Sequence, residues 1–330
     1  MATLKTANLE IYIYTGTSGS YSSTDLKYTL QKQIISTETK IVFEFAELVR
    51  DYLNMTFNND YTSITVWVTT VATLIDDSGV TFTYGSPVTN TYLAMDGYGY
   101  FEESINPQCS TDALITTNTI YIPENTAGKL PLYAPGVGKI IIDSTTTQIT
   151  DTGNSNQKIQ YATIPANSSE IKVYDTDDTT LKKTITIENV CEPKFSVFKI
   201  TFVNKHGAFE DVYMFKKTVE SFSVTDENYK SNIIDNSTVT YNTYKSQQTR
   251  YNVNAQSKIK LNTGYILEDA NSTIEELFLS RNVWIRFENK TLPVVPTSKE
   301  FTFKTSLNDK LINYTINFEF AFNKINNVRW

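Results

Sequence analysis

The sequence holds one histidine, His206, and two cysteines, Cys109 and Cys191. Nucleophilic catalysis of the Ser-His-Asp kind needs an imidazole set between a carboxylate and an exposed hydroxyl or thiol. His206 instead lies in Asn204-Lys205-His206-Gly207, between two apolar runs, where it reads as a turn residue, and no G-x-S-x-G elbow accompanies it. A single histidine also removes most catalytic metal sites. The cysteines stand far apart with no CxxC spacing, so a structural zinc site is not expected and two reduced thiols are.

Three further stretches resemble chemistry and fail on detail. In "APGVGKIII", Gly138-Lys139 is followed by Ile140 where a phosphate loop needs Ser or Thr, and Tyr133 stands where it needs Gly. In "DTDDTT" the carboxylates Asp175, Asp177 and Asp178 have calcium-loop spacing, but the sixth and twelfth positions are Thr180 and Thr186 instead of Gly and Glu, which leaves a solvated turn. Glycoside hydrolysis needs only two carboxylates. With 36 Asp and Glu in 330 residues such pairs arise by chance, so composition does not discriminate. "DGYGYFEES" offers Tyr98, Tyr100 and Phe101, aromatics suited either to stacking on a sugar or to a protein interface. No catalytic, cofactor-binding or metal-binding residues are assigned, and no cofactor is expected.

The elements that would position these residues read as strands. Thr, Tyr, Phe, Val and Ile abound while Gly and Pro number 12 and 9, which favours a mainly β fold of several antiparallel β-sandwich lobes. Residues 1–105 form a first lobe with strands at "LEIYIY", "KYTL", "KIVFEF" and "SITVWVTTVATLI", and one short helix in "FAELVRDYLNM" on the spacing of Leu48, Val49, Tyr52 and Leu53. Residues 106–193 show short alternating runs ("NTIYIP", "GKIIID", "TQIT", "KIQYATIP", "EIKVYD", "LKKTITIENV") at the spacing of an immunoglobulin-like sandwich. Residues 194–330 form a third β lobe with a helix near 270–280, announced by Ser272 and Glu275 of a capping box.

From Ile312 to Phe322 every even position is apolar, which predicts one long strand. It is expected to form a hairpin with "KEFTFKTS" through "LNDK" and to carry the helix on its apolar face. Net charge is −7 with scattered basic residues, which gives no footprint for nucleic acid. No basic-then-apolar leader and no run of about 18 apolar residues occurs, so neither a signal peptide nor a membrane span is expected.

"FKITFVNKHGAFEDVYMFKKTVES", "KLNTGYILEDANSTIEELFLSRNVWI" and "FKTSLNDKLINYTINFEFAFNKINNVR", with "TKIVFEFAELVRDYL" near the start, resemble segments of virion structural proteins of tailed bacteriophages, notably crAss-like and related phages of Bacteroidetes hosts. The resemblance covers about half of the chain and is weakest over 106–193. It implies a non-enzymatic part of the tail or neck, made in the host cytoplasm and built into the virion. It further implies a symmetric homo-oligomeric ring of six or twelve copies that binds other tail or neck proteins. A tail-tip binder or depolymerase of host polysaccharide is the competing expectation. Interface candidates are Arg329 and Trp330, residue types enriched at binding hot spots, with Tyr98, Tyr100 and Phe101.

Overall fold

The computed structural model describes residues 4–35, 40–81, 87–108, 112–233, 240–298, 300, 302–305 and 311–326. Among these residues the chain is mainly β, with several antiparallel sheets and two α-helices. By internal contacts it divides into two units. Unit 1 is Met1–Val190 with Thr201–Asp211 and Asp269–Arg281, and so draws on all three expected lobes; unit 2 is Cys191–Ile200, Val212–Glu268 and Asn282–Trp330.

Unit 1 begins with four antiparallel strands, β1 (Leu4–Tyr14), β2 (Leu26–Gln33), β3 (Val66–Asp76) and β4 (Val88–Ala94), in the order β2-β1-β3-β4. Alternation places Leu9, Ile11 and Ile13 of β1 and Val66 and Val68 of β3 in one buried cluster. Val49 and Leu53 pack into it from helix α1 (Ala46–Arg50) and the turn that follows. The helix is shorter than the expected span over 45–55: it has no side-chain cap at Phe45, and beyond Arg50 the hydrogen bonds tighten to Tyr52 N–Val49 O and Leu53 N–Arg50 O. "KIVFEF" is not a strand. Its alternation is real, since Phe43 and Phe45 pack on the cluster while Val42 is exposed, but among the described residues no ladder partner pairs with it.

The same unit continues through β5 (Thr119–Pro123), β6 (Gly128–Tyr133), β7 (Lys139–Ile142), β8 (Thr145–Gln148), β9 (Ile159–Ile164), β10 (Glu170–Tyr174) and β11 (Leu181–Val190). Five of them form the sheet β5-β11-β10-β7-β8, antiparallel except for the parallel β5–β11 pair, and β6 pairs with β9. Ile140, Ile171, Val173 and Ile185 are fully buried on the larger sheet, as are Leu130 and Leu132 on the smaller. The two layers meet closely: a Cβ on Gly128 of β6 would lie 2.6 Å from Ile122 Cδ1 of β5. Five of the six runs expected between 118 and 190 are strands, while only the first half of "TQIT" belongs to β8, and a sandwich-like packing fits them. Helix α2 (Ala270–Leu279) also counts with unit 1 and buries Ala270, Thr273, Ile274, Glu276 and Leu277.

β12 (Phe198–Val203) and β13 (Phe209–Met214) are joined by the expected Asn204–Gly207 turn, in which Gly207 has φ +76. The division between the units runs through both strands. Unit 2 adds β14 (Val219–Lys230), β15 (Gln248–Asn262), β16 (Ile266–Leu267), β17 (Val283–Phe287), β18 (Lys290–Pro296), β19 (Leu311–Ile312) and β20 (Thr315–Phe320). The large sheet has the order β13-β12-β17-β18-β20-β15-β14, and β16 pairs with β19.

The long strand expected over 312–322 is broken. β19 and β20 join different sheets, and between them Tyr314 N donates to Thr263 Oγ1 (2.9 Å) while Thr263 N donates to Tyr314 O (2.9 Å). The apolar face still buries Ile312, Tyr314, Ile316, Phe318 and Phe320, but Phe322 is exposed. Thr302–Thr305 of the expected hairpin partner is irregular, and "LNDK" lies outside the described residues. The helix expected on this strand counts with unit 1 and the strand with unit 2. No helix among the described residues is long and apolar enough to cross a membrane.

Candidate functional site

Of the expected interface residues, Arg329 and Trp330 lie outside the described residues, as does Cys109, while Cys191 is exposed. Tyr98, Tyr100 and Phe101 lie on one loop of unit 1 and divide in character. Phe101 is 100% exposed. Tyr98 lines a groove of about 650 Å³ with Phe45, Met95, Glu103, Gln108 and His206. Its ring meets that of Tyr100 edge-on at 6.0 Å, and the Lys205 ammonium stands 5.6 Å from the Tyr100 centroid. Burial, reinforced by the nearby Glu275 and Glu276, pushes both phenols up, that of Tyr100 to about 12. Burial likewise pushes the His206 imidazole down to about 4, so it is neutral near pH 7.

Beneath the His206 turn unit 1 holds two buried carboxylates that the sequence did not reveal. Asn204 organises one of them: its Nδ2 donates to Glu210 Oε2 (2.7 Å) and to Leu114 O (2.6 Å), while its Oδ1 accepts from His206 N (3.1 Å) and Ala208 N (3.2 Å). Thr273 Oγ1 donates to the other Glu210 oxygen. Glu276 accepts from Thr116 Oγ1 and from Lys205 N. Burial first, and the Glu276 charge second, raise the Glu210 carboxyl well above the usual carboxylate range, and burial raises Glu276 too. Lys183 donates to Ile115 O (2.5 Å), its own ammonium pushed down by burial. Every partner here belongs to the fold itself, so the pair ties the segments around 114–116, 204–210 and 273–276 together. Glu210 hides among alternating strand residues and Glu276 beside the apolar helix face, so neither stands out in the sequence.

The carboxylates of Asp175 and Asp177 serve their own turn. Asp177 Oδ1 accepts from Thr179 N (2.9 Å) and Thr180 N (2.8 Å), and Asp175 Oδ1 accepts from Thr176 N (2.6 Å). Among the described residues no group of three His, Cys, Asp or Glu is placed to hold a metal ion.

The most open surface belongs to unit 2. β14 ends its sheet and is exposed at all 12 residues. It pairs with β15, whose first six residues are intermediate or exposed, so the pair extends as a two-stranded arm. Val219, Phe222, Val224 and Tyr229 of β14 and Tyr251 and Val253 of β15 are exposed large apolar side chains. The arm is internally braced: Arg250 Nε lies 2.8 Å from Asp226 Oδ2, and the Tyr229 and Tyr251 rings meet at 5.7 Å. Asn252, with φ +49, takes up the register shift on the inner strand, so the outer strand alternates without interruption. At the base of the arm Phe222, Phe287, Leu292, Phe320 and Phe322 line a groove of about 350 Å³, and Lys324 Nζ sits 4.6 Å over the Phe222 ring. The period-2 alternation of a β lobe over 194–330 cannot by itself tell a face turned to the core from one turned to water.

No family model, no curated protein and no solved structure matches this chain.

Proposed function

We propose that this chain is a non-enzymatic structural component of a tailed-bacteriophage virion, present in several copies in the tail or neck and bound there to copies of itself and to neighbouring tail proteins. The arm carries this reading. A strand exposed at all 12 residues and rich in Val, Phe and Tyr is the kind of surface that binding partners cover. The resemblance of the four quoted segments to virion proteins supplies the setting, and six or twelve copies suit a ring about a tail axis. Averaged images of purified virions test it: density accounting for this chain at a repeated position is expected, and its absence from the whole particle would overturn the reading.

A second reading rests on the groove beside Tyr98, where aromatic rings border Glu103, Asn106 and Gln108 in the manner of a sugar-binding cleft. It makes the chain a tail-tip binder of host polysaccharide. Binding of the purified chain to host-surface glycans, abolished by Tyr98→Ala, is expected on this reading, and no binding to any of them would remove it.

A further inference from the structure

We infer that β14 is a self-pairing edge, joining two copies of this chain antiparallel about a two-fold axis at Thr225 into one continuous sheet. The inference rests on the assembly reading and names the contact within it. Natural sheets blunt their outer strands with proline, bulges or central lysines. β14 has no proline, its only lysine is the last residue, Lys230, and the irregularity sits in β15 instead. At about 3.4 Å per residue its open edge runs about 41 Å.

The charges select the register. An axis at Thr225 sets this threonine against its own copy and Glu220 against the partner's Lys230, twice over by symmetry. Asp226 then faces Val224 and Glu227 faces Ser223, so no like charges are opposed. Moving the axis to Ser223 sets Glu220 against Asp226, which is unfavourable. Asp226 is already neutralised by Arg250 within the arm, whereas Glu220 and Lys230 are exposed and in no ion pair among the described residues. The Glu220–Lys230 pairs fall on the same face as Phe222 and Val224, so pairing also shields these side chains. A two-fold contact closes on itself, so a ring of six or twelve copies would use it to join pairs and a second surface to join the pairs to one another.

The test uses the full chain in sedimentation across a dilution series. Wild type is expected to associate; Glu220→Lys alone and Lys230→Glu alone are each expected to weaken association about tenfold, and the double variant to restore it. Mild oxidation should cross-link Thr225→Cys between copies and leave Ser221→Cys at the wild-type background set by Cys109 and Cys191. A monomer at every concentration, a double variant that does not recover, or equal cross-linking at both positions would overturn the contact. Oligomers indifferent to the charge reversals would overturn β14 pairing while leaving assembly standing. A dimer that meets every expectation from a protein missing in virions would overturn the virion setting alone.

Discussion

Asn204 Nδ2 donates to Glu210 Oε2 at 2.7 Å, with both residues buried. The amide is the closest neutral donor to a carboxyl whose titration burial has displaced upward. A folded-state value above the ordinary 4.5 means that the protonated form contributes stability fully below that pH, and that this contribution is lost as pH rises through the elevated value. Glu210→Gln keeps an acceptor for Asn204 and removes the charge. The variant is expected to match wild type near pH 4 and to be more stable at pH 9, by on the order of 1–3 kcal/mol, in denaturant titrations. A difference that grows toward acid would show that the pair is held ionised instead.

The turn above it should be intolerant of any side chain. Gly207 has φ +76, and a Cβ there would lie 2.9 Å from Asp96 N and 3.1 Å from Met95 Cβ. Gly207→Ala therefore combines left-handed strain with a backbone clash and is expected to cost about 2–3 kcal/mol. His206→Asn leaves the backbone geometry untouched and is the control, expected to cost less than half as much by the same measurement.

Strand positions were legible where both the alternation and a ladder partner existed, as in Ile140–Ile142 and Ile171–Val173, which pair across β7 and β10. β6 escaped because Pro131, which brings no N–H to a ladder, interrupts "GKLPLY", although the strand pairs with β9 along its whole length. "KIVFEF" misled for the opposite reason, since Phe43 and Phe45 alternate into a core without pairing. The break at Asn313-Tyr314 was invisible because the inserted bend preserves the parity of buried residues. Glu210 and Glu276 could not be singled out among 36 acidic residues, because their meaning comes from contacts made only in the fold: Glu276 with Thr116, 160 residues away, and Glu210 with Asn204, on the other side of its turn.

Phe318 and Phe222 offer a paired test of core against surface within one sheet. Phe318 is fully buried, and Phe318→Ala is expected to cost about 3–5 kcal/mol of unfolding free energy. Phe222 is 60% exposed, with the Lys324 ammonium over its ring. Phe222→Ser is expected to change stability by less than about 0.5 kcal/mol while lowering association in sedimentation. Equal stability losses in the two variants would mean that the arm is covered within its own chain.

The C-terminal segment separates folding from docking. Lys324 N donates to Ala255 O (2.8 Å) and Ile325 N to Asn254 Oδ1 (3.2 Å), so the chain as far as Asn326 is fastened along β15. Arg329 and Trp330 follow within four residues of that anchor, and their types suit an intermolecular contact. A chain ending at Asn326 keeps both anchoring bonds and is expected to unfold at the wild-type denaturant midpoint. On the proposed virion reading, its incorporation into particles, measured by quantitative mass spectrometry of purified virions against wild type, is expected to fall about tenfold or more, as loss of an aromatic hot spot would imply. Arg329→Ala and Trp330→Ala should divide that loss, with Trp330 carrying the larger part. Full incorporation of the shortened chain would exclude these residues from the interface and leave the β14 arm as the surface to pursue.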